Sequence, residues 1–492
     1  MGDRAMYRDS SSDDPRRSRR RSPRRSPPRR SNRERKRNRS SSSRGGRSRS
    51  RSRGRTYRGR GDDGMEGGWH MGTIQRCQEK FAFVEQDSRE EDLFVMAGDC
   101  KAFGRIPKAG TRVKYTIGTN PKNGKPKAAN VQPLEEEDIK PKRPPLRPPE
   151  LFEIELAAHN IRGKAMRTPL VRFNWQCLLP GVEVYLKLEN MQPLGSFKMR
   201  PAANAIASIK DKDELKSAGA CTASEGNFGL ALAWVCKDLG ISCTVVMPNH
   251  VPASKISEIQ RHGAMVFQVP YADWWEMLES HKCPQAPKGS VFIHPGAGQS
   301  ILAANATIAL EICQDLPDVD CIIAPYGTGA VCTGIACGVR AMGDQFKSCR
   351  VLAAEPASAS PFALSKLCGE ARGFPDWQPS FVDGCGGKAV LKEVFHVAKD
   401  SVDGTCSVSL DSVAEAIKVL LERNKVLAEG AGACSVAAAM SGMCGSAKKV
   451  VCVVCGGNLD SDKLVTILSG RGAPPMKKSR DDDLAIVPYD DL

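Results

Sequence analysis

The stretch from Leu186 to Arg200, LKLENMQPLGSFKMR, decides how the larger part of this chain is read. An apolar strand signal runs out into a Gly-Ser turn, and Lys198 then stands where the next helix opens. A lysine at a helix N-terminus meets the positive end of the helix dipole, which lowers its pKa and favours the neutral amine. A neutral amine is what Schiff-base chemistry requires. Taken alone, Lys198 is equally compatible with a solvated side chain at an ordinary helix start.

Working outward, three more strand–loop junctions share this character. Residues 222–229, TASEGNFG, lead straight into an amphipathic helix. Small polar residues there expose successive backbone N–H groups, a cradle for a carboxylate or phosphate. The ordinary reading is an N-cap by Ser224 or Asn227. Residues 322–330, IIAPYGTGA, and 451–458, VCVVCGGN, are apolar strands running into glycines. Glycine lets backbone amides come close to an anion, so the first suits a phosphate grip. It is no Walker loop, since no Gly-Lys-Ser/Thr follows, and the glycine spacing fails the dinucleotide fingerprint. Strand runs at 184–188, 243–247, 321–324 and 450–454 alternate with helical runs such as 200–209 and 228–239. That rhythm predicts parallel sheets with covering helices, and residues 151–470 suffice for two such layers. Cys452 and Cys455 form a CxxC, but residues three apart on a strand face opposite sides. No second CxxC supplies further ligands, so no metal site is expected.

In this order and spacing the motifs resemble the pyridoxal-phosphate enzymes of the tryptophan-synthase-β fold (fold type II). Within that group they are most similar to threonine/serine dehydratases and serine racemase. The likeness covers roughly residues 151–465 and takes in the runs Arg167–Leu170, His294–Pro295, Ala353–Pro356, Phe381–Gly384 and Leu427–Gly430. It implies a two-domain α/β module, pyridoxal 5′-phosphate as cofactor, and L-threonine or L-serine as substrate. Lys198 would carry the cofactor and take the substrate α-proton, with Phe197 against the pyridine ring and Asn227 hydrogen-bonding the ring hydroxyl. Ser224, Gly226 and Asn227 would hold the substrate carboxylate, and Gly327, Thr328, Gly329 and Ala330 the cofactor phosphate. Cys455 stands where the family places the partner of the pyridine nitrogen. A thiol there does not protonate the ring strongly, which favours quick loss of a β-hydroxyl over transamination.

The reaction this implies is β-elimination to a 2-oxo acid and ammonia, with the cofactor phosphate as the family's candidate acid for the leaving hydroxide. Glu225 lies where serine racemases carry a Ser and ammonia-lyases an Ala. Its ordinary reading, a carboxylate turned to solvent or paired with a surface lysine, tilts the choice toward lyase. Serine racemase is kept as one alternative. Another is an RNA-binding protein with a catalytically weak module, because Thr328 and Ala330 interrupt a family run of glycines and Ala303–Ala306 replaces others. Near the racemases' metal site Glu355 is present but Pro361 replaces an Asp, so no hard-cation site is expected. A homodimer is a further implication of the likeness.

The basicity lies elsewhere. The chain has 492 residues with 72 Lys+Arg against 56 Asp+Glu, a formal +16. Residues 1–60 hold 24 Lys+Arg and 5 Asp+Glu, or +19, which leaves −3 for the rest. In residues 1–62 Arg alternates with Ser, Pro and Gly, so this arm is expected to be disordered. Each Arg attracts phosphate without reading sequence, and each Ser is a place where phosphorylation cancels charge. A solubilising linker is the plainer alternative.

From 71 to 133 five short β-rich runs predict a small barrel. The runs Gly72–Ile74, Lys80–Val84, Asp92–Val95 and Lys127–Val131 resemble a cold-shock (OB-like) domain. That likeness implies single-stranded nucleic acid, RNA above all, stacked on Phe81, Phe83 and Phe94 with Lys80 near the backbone. Arg76, Cys77 and Met96 depart from the family pattern, and some of the Phe residues could instead be core. Residues 134–150 read as a Pro-rich linker and 471–492 as a disordered tail. No apolar run is long enough for a membrane span, and the Arg-rich start is no secretory signal. The 19 Cys, spread singly, read as mostly reduced and buried. Cytoplasm and nucleus both stay open as locations.

Overall fold

The computed structural model describes residues 68–134, 144–175 and 180–475, except 79, 89, 90 and 122. The expected arm at 1–62, residues 135–143 of the expected linker and residues 476–492 of the expected tail lie outside the described residues. The chain divides into two units, with the boundary between residues 141 and 142.

The first unit is built from β1 (Trp69–Cys77), β2 (Phe81–Gln86), β3 (Leu93–Met96), β4 (Arg112–Thr119) and β5 (Pro126–Pro133). They close into a barrel in the order β1-β2-β3-β5-β4, antiparallel throughout except for the β3–β5 pair. Period-two alternation sends Ile74, Ala82, Val84, Val95, Val113, Tyr115, Ala128 and Val131 inward as its core. Strand β1 is longer than its sequence signal because its pairing with β2 shifts register between Ile74 and Cys77. An irregularity of that kind breaks the alternation from which strand ends are read.

The second unit runs α1 (Leu151–Asn160), β6 (Leu170–Arg172), β7 (Glu183–Lys187), α2 (Met199–Ser208), α3 (Lys212–Ala218), β8 (Ala220–Ala223), α4 (Asn227–Asp238), β9 (Cys243–Pro248), α5 (Ala253–Arg261), β10 (Met265–Val269), α6 (Tyr271–Ser280) and β11 (Val291–Phe292). It continues with α7 (Gln299–Asp315), β12 (Cys321–Pro325), α8 (Ala330–Ala341), β13 (Arg350–Pro356), α9 (Pro361–Cys368), α10 (Lys392–Ser401), β14 (Gly404–Val408), α11 (Leu410–Asn424), α12 (Gly430–Met440), β15 (Lys449–Val453) and α13 (Ser461–Leu468).

Two sheets result. The smaller is parallel in the order β10-β9-β8-β11, and the larger runs β14-β13-β12-β15-β7-β6 with only β6 antiparallel. Every residue of β9 and β12 is buried, as strands covered by helices on both faces require. Each Val or Ile so enclosed contributes about 1.5–3 kcal/mol of transfer free energy. Helices α7 and α8 approach closely: a Cβ at Gly334 would stand 2.6 Å from the Asn305 Cβ. The small residues of 303–306 therefore meet glycines of α8 in the helix–helix seam. All four chemically unusual junctions fall at the carboxyl ends of parallel strands, where open α/β sheets bind ligands.

Candidate active site

Lys198 is the N-cap residue of α2, two positions ahead of the side chain that anchors the segment. That anchor is Arg200, which is fully buried. Its Nε and Nη2 donate to Glu189 at 2.8 Å each, and its Nη1 donates to Glu311 at 2.6 Å. The Lys187 ammonium joins the same cluster, 2.7 Å from Glu311. Buried charges persist only when paired and hydrogen-bonded, and here the pairing ties α2 to α7 and to the end of β7.

The Lys198 amine is enclosed. Its Nζ donates to the Pro295 carbonyl oxygen at 3.1 Å and lies 4.9 Å from the centre of the Phe197 ring. Burial brings its pKa down to about 8, against the opposing pull of Cys455 and Glu429. The helix start alone is thus not the cause; the main agent is desolvation by the closed cleft, visible only once the fold is formed.

The glycine turn lies close by. Gly296, the neighbour of Pro295, has no room for a side chain, since a Cβ there would stand 2.6 Å from the Thr328 Cβ. The turn feeds α8, whose first residue is Ala330, with Gly329 in the left-handed region at φ 84°. A Cβ at Gly327 would run into the Gly384 carbonyl oxygen, and one at Gly329 would stand 2.6 Å from the Tyr326 ring. The Tyr326 hydroxyl beneath it is buried and has no hydrogen-bond partner. A helix start, backbone that tolerates no Cβ and an orphaned hydroxyl fit a phosphate group. Cys455 is connected to Lys198 through the backbone, because the Phe197 N–H donates to its carbonyl oxygen at 2.9 Å. Burial pushes the Cys455 thiol well above its ordinary range, so it stays protonated.

A family model described as pyridoxal-phosphate dependent enzyme matches residues 161–456. The chain belongs to the pyridoxal-phosphate dependent enzymes. Its cofactor is pyridoxal 5′-phosphate, and the buried amine, the glycine turn and the neutral thiol suit that group. Relatives of this enzyme include an L-threonine ammonia-lyase from Thermotoga maritima, 33% identical over 319 residues, which are 65% of this chain and 78% of that one. The catabolic L-threonine dehydratase of Escherichia coli is 32% identical over 330 residues, 65% of this chain and 96% of that one. A crystal structure of serine racemase from Dictyostelium discoideum aligns at a TM-score of 0.56 with 31% identity, covering 63% of this chain and 99% of that one. The enzyme is thus of the threonine dehydratase and serine racemase kind.

The remaining expected residues have roles of their own in the fold. The Ser224 hydroxyl oxygen accepts from the backbone N–H of Gly229 at 3.0 Å and of Gly226 at 3.4 Å, closing the first turn of α4. Asn227 does not offer an idle amide to the cleft. Its Nδ2 donates to both oxygens of Glu429, at 3.1 and 3.2 Å, and its Oδ1 accepts from Asn458 at 2.9 Å. Glu429 was missed as a site residue. The sequence places it in a run of family likeness 202 residues from its partner, and nothing local marks a carboxylate that turns into a cleft.

Glu225 is also not simply solvated. Its side chain, 37% exposed, stands 4.0 Å from His250. Its crowded setting, with Lys255 opposing and Asp383 adding, raises its carboxyl above the usual range, while its exposed part keeps contact with water. Glu355 has turned inward as a helix cap, its two oxygens accepting from the backbone N–H groups of Phe362 and Ala363 at 2.9 Å each. Among the described residues no group of three or more His, Cys, Asp or Glu is placed to hold a metal ion, and no helix is long and apolar enough to cross a membrane.

In the barrel, Ala82, Val84 and Val95 fill the core. Phe81, Phe83 and Phe94 stay half-buried and pack on one another at ring separations of 5.6–6.0 Å. Lys80 precedes them and is exposed.

Proposed function

We propose that the enzyme eliminates the β-hydroxyl of L-threonine or L-serine and releases a 2-oxo acid and ammonia. The observation that carries this reading is the neutral, buried Cys455 thiol standing where a carboxylate would favour long-lived carbanion chemistry. When bound, the cofactor supplies the electron sink for the pair released at the substrate α-carbon. The Lys198 amine takes the α-proton; burial brings its pKa down to about 8, so the uncharged form is far more accessible than in a solvated lysine. The Ser224 hydroxyl and the N–H groups at the start of α4 bind and orient the carboxylate. The named activities of the bacterial relatives support the same reaction.

Adding L-threonine to purified enzyme and measuring 2-oxobutanoate tests it. Steady release that is lost in Lys198→Ala is the expected result. A second reading, racemisation, gains support from Glu225, a carboxyl group able to exchange protons near neutral pH. D-serine formed from L-serine without pyruvate would favour it.

For the barrel we propose binding of single-stranded nucleic acid, with RNA the first choice. The three clustered Phe rings outside the core offer bases a stacking surface, and Lys80 beside them can meet the backbone. The basic arm adds sequence-independent attraction.

A further inference from the structure

Glu429 is a buried titratable group that the proposed reaction does not use. It is the N-cap residue of α12, only 4% exposed, and its own N–H donates to the Gly456 carbonyl oxygen at 3.0 Å. The carboxylate lies in a slot cleared by two glycines. A Cβ at Gly456 would stand 2.5 Å from Oε1, and one at Gly384 would stand 3.4 Å from the same atom. Opposite it is Asn227 at the start of α4, which belongs to the layer of the smaller sheet. Behind Asn227, the Asn458 Nδ2 donates both to the Asn227 Oδ1 and to the Leu194 carbonyl oxygen, at 2.9 Å each.

We propose that Glu429 is a positioning residue: its carboxylate dictates which way the Asn227 amide points, and its charge sets how strongly the remaining Asn227 N–H donates toward the cofactor.

The orientation follows from donor and acceptor counting. An ionised carboxylate only accepts, and an Asn amide has two donors at nitrogen and acceptors at oxygen. Glu429 on one side and the Asn458 amide hydrogens on the other admit a single orientation of Asn227. The flipped amide would set oxygen against carboxylate and nitrogen against nitrogen. With Glu429 ionised, one Asn227 N–H is shared between its two oxygens, and the negative charge weakens the other N–H as a donor. With Glu429 protonated that charge is gone, and the second Asn227 N–H donates more strongly to another acceptor in the cleft.

The charged and titratable groups around Glu429 are Lys198 and Cys455 on the amine side, and Asp383 and Lys255 on the other. Burial, reinforced by Asp383 and opposed by Asn227 and Lys255, raises its carboxyl to about 7. Both protonation states are therefore populated near neutrality. The inference rests on the cofactor and not on the lyase reading, so it survives if the substrate proves different.

The test uses purified holoenzyme and the visible absorption of the bound cofactor, recorded from pH 6 to pH 8.5, with no substrate present. The wild type is expected to show one spectral transition with a midpoint near 7, set by the Glu429 carboxyl. Glu429→Gln is expected to hold one spectrum across the range and to lose cofactor on dialysis about fivefold faster, the scale of one hydrogen bond. Glu429→Asp restores part of the transition, which a merely structural role would not do. Should Glu429→Gln fail to fold, Asn227→Ala removes the amide through which the Glu429 carboxyl acts and is expected to abolish the transition. A transition identical to that of the wild type, in Glu429→Gln or in Asn227→Ala, overturns the proposal.

Discussion

The barrel and the α/β unit place their chemistry in opposite ways. In the barrel the three phenylalanines stand half-buried on strand faces outside the core, held by one another. In the α/β unit the residues of interest cluster at strand ends and helix starts; Phe197 is 7% exposed, Cys455 3% and Glu429 4%, while Lys198 and Asn227 are half-buried. An outer face reads a ligand by stacking and leaves the residues' own ionisation alone. A buried cleft changes ionisation, and that is how Lys198 comes to titrate near 8 and Glu429 near 7. Substitutions in the cleft should therefore act on cofactor and reactivity, and those on the barrel face on affinity alone.

The largest effect is expected from Lys198→Ala, which removes the proposed attachment point of the cofactor and the proposed proton acceptor. Turnover should fall by about 10³-fold or more, with loss of the visible cofactor band. Retention of that band would break the contrast at its root. Next comes Gly327→Ala, whose new Cβ meets the Gly384 carbonyl oxygen. Overpacking of this kind costs about 1–3 kcal/mol, read as a lower melting temperature together with weaker cofactor retention.

Glu355→Gln sharpens the electrostatic side of the comparison. Burial raises the Glu355 carboxyl to about 8 in the folded protein, well above its unfolded value near 4.5. Its contribution to stability is therefore fully present below about 4.5 and is lost as pH rises through 8. The variant's stability relative to wild type should accordingly improve between pH 5 and pH 9, by about 1–3 kcal/mol. Parallel denaturation curves at both pH values, with an unchanged difference, would contradict it.

The smallest effect lies in the barrel. Phe83→Ala should weaken single-stranded RNA binding by about 1–3 kcal/mol and leave the cofactor spectrum untouched. Removing residues 1–62 should lower the salt dependence of that binding more than it changes base preference.

How far the sequence could be read follows from which interactions are local. Strands β7, β9, β12 and β15 stand within one residue of their sequence signals, because a continuous apolar run bounded by glycine, proline or charge is a local property. Helix α4 likewise starts one residue before its signal. The barrel's β1 was read as three residues where the strand spans nine, since its register shift hides the alternation. At the site, the family resemblance pointed to Lys198 and the glycine turn, and the fold sets Lys198 against Pro295 and the neighbouring Gly296 against Thr328. The cause of the Lys198 shift was not legible, because burial comes from chain segments such as Pro295 that are about a hundred residues away. The Asn227–Glu429 pair, 202 residues apart, was illegible for the same reason. The inward turn of Glu355 depended on where α9 would present its free N–H groups.

The central claim is that the chain's cofactor chemistry runs through a single amine. Reducing the purified enzyme with borohydride would fix any lysine-bound cofactor in place, and mass mapping of its peptides would locate it. The account predicts one adduct, on the peptide carrying Lys198. An adduct on a different lysine, or a fully loaded enzyme with none, would contradict it.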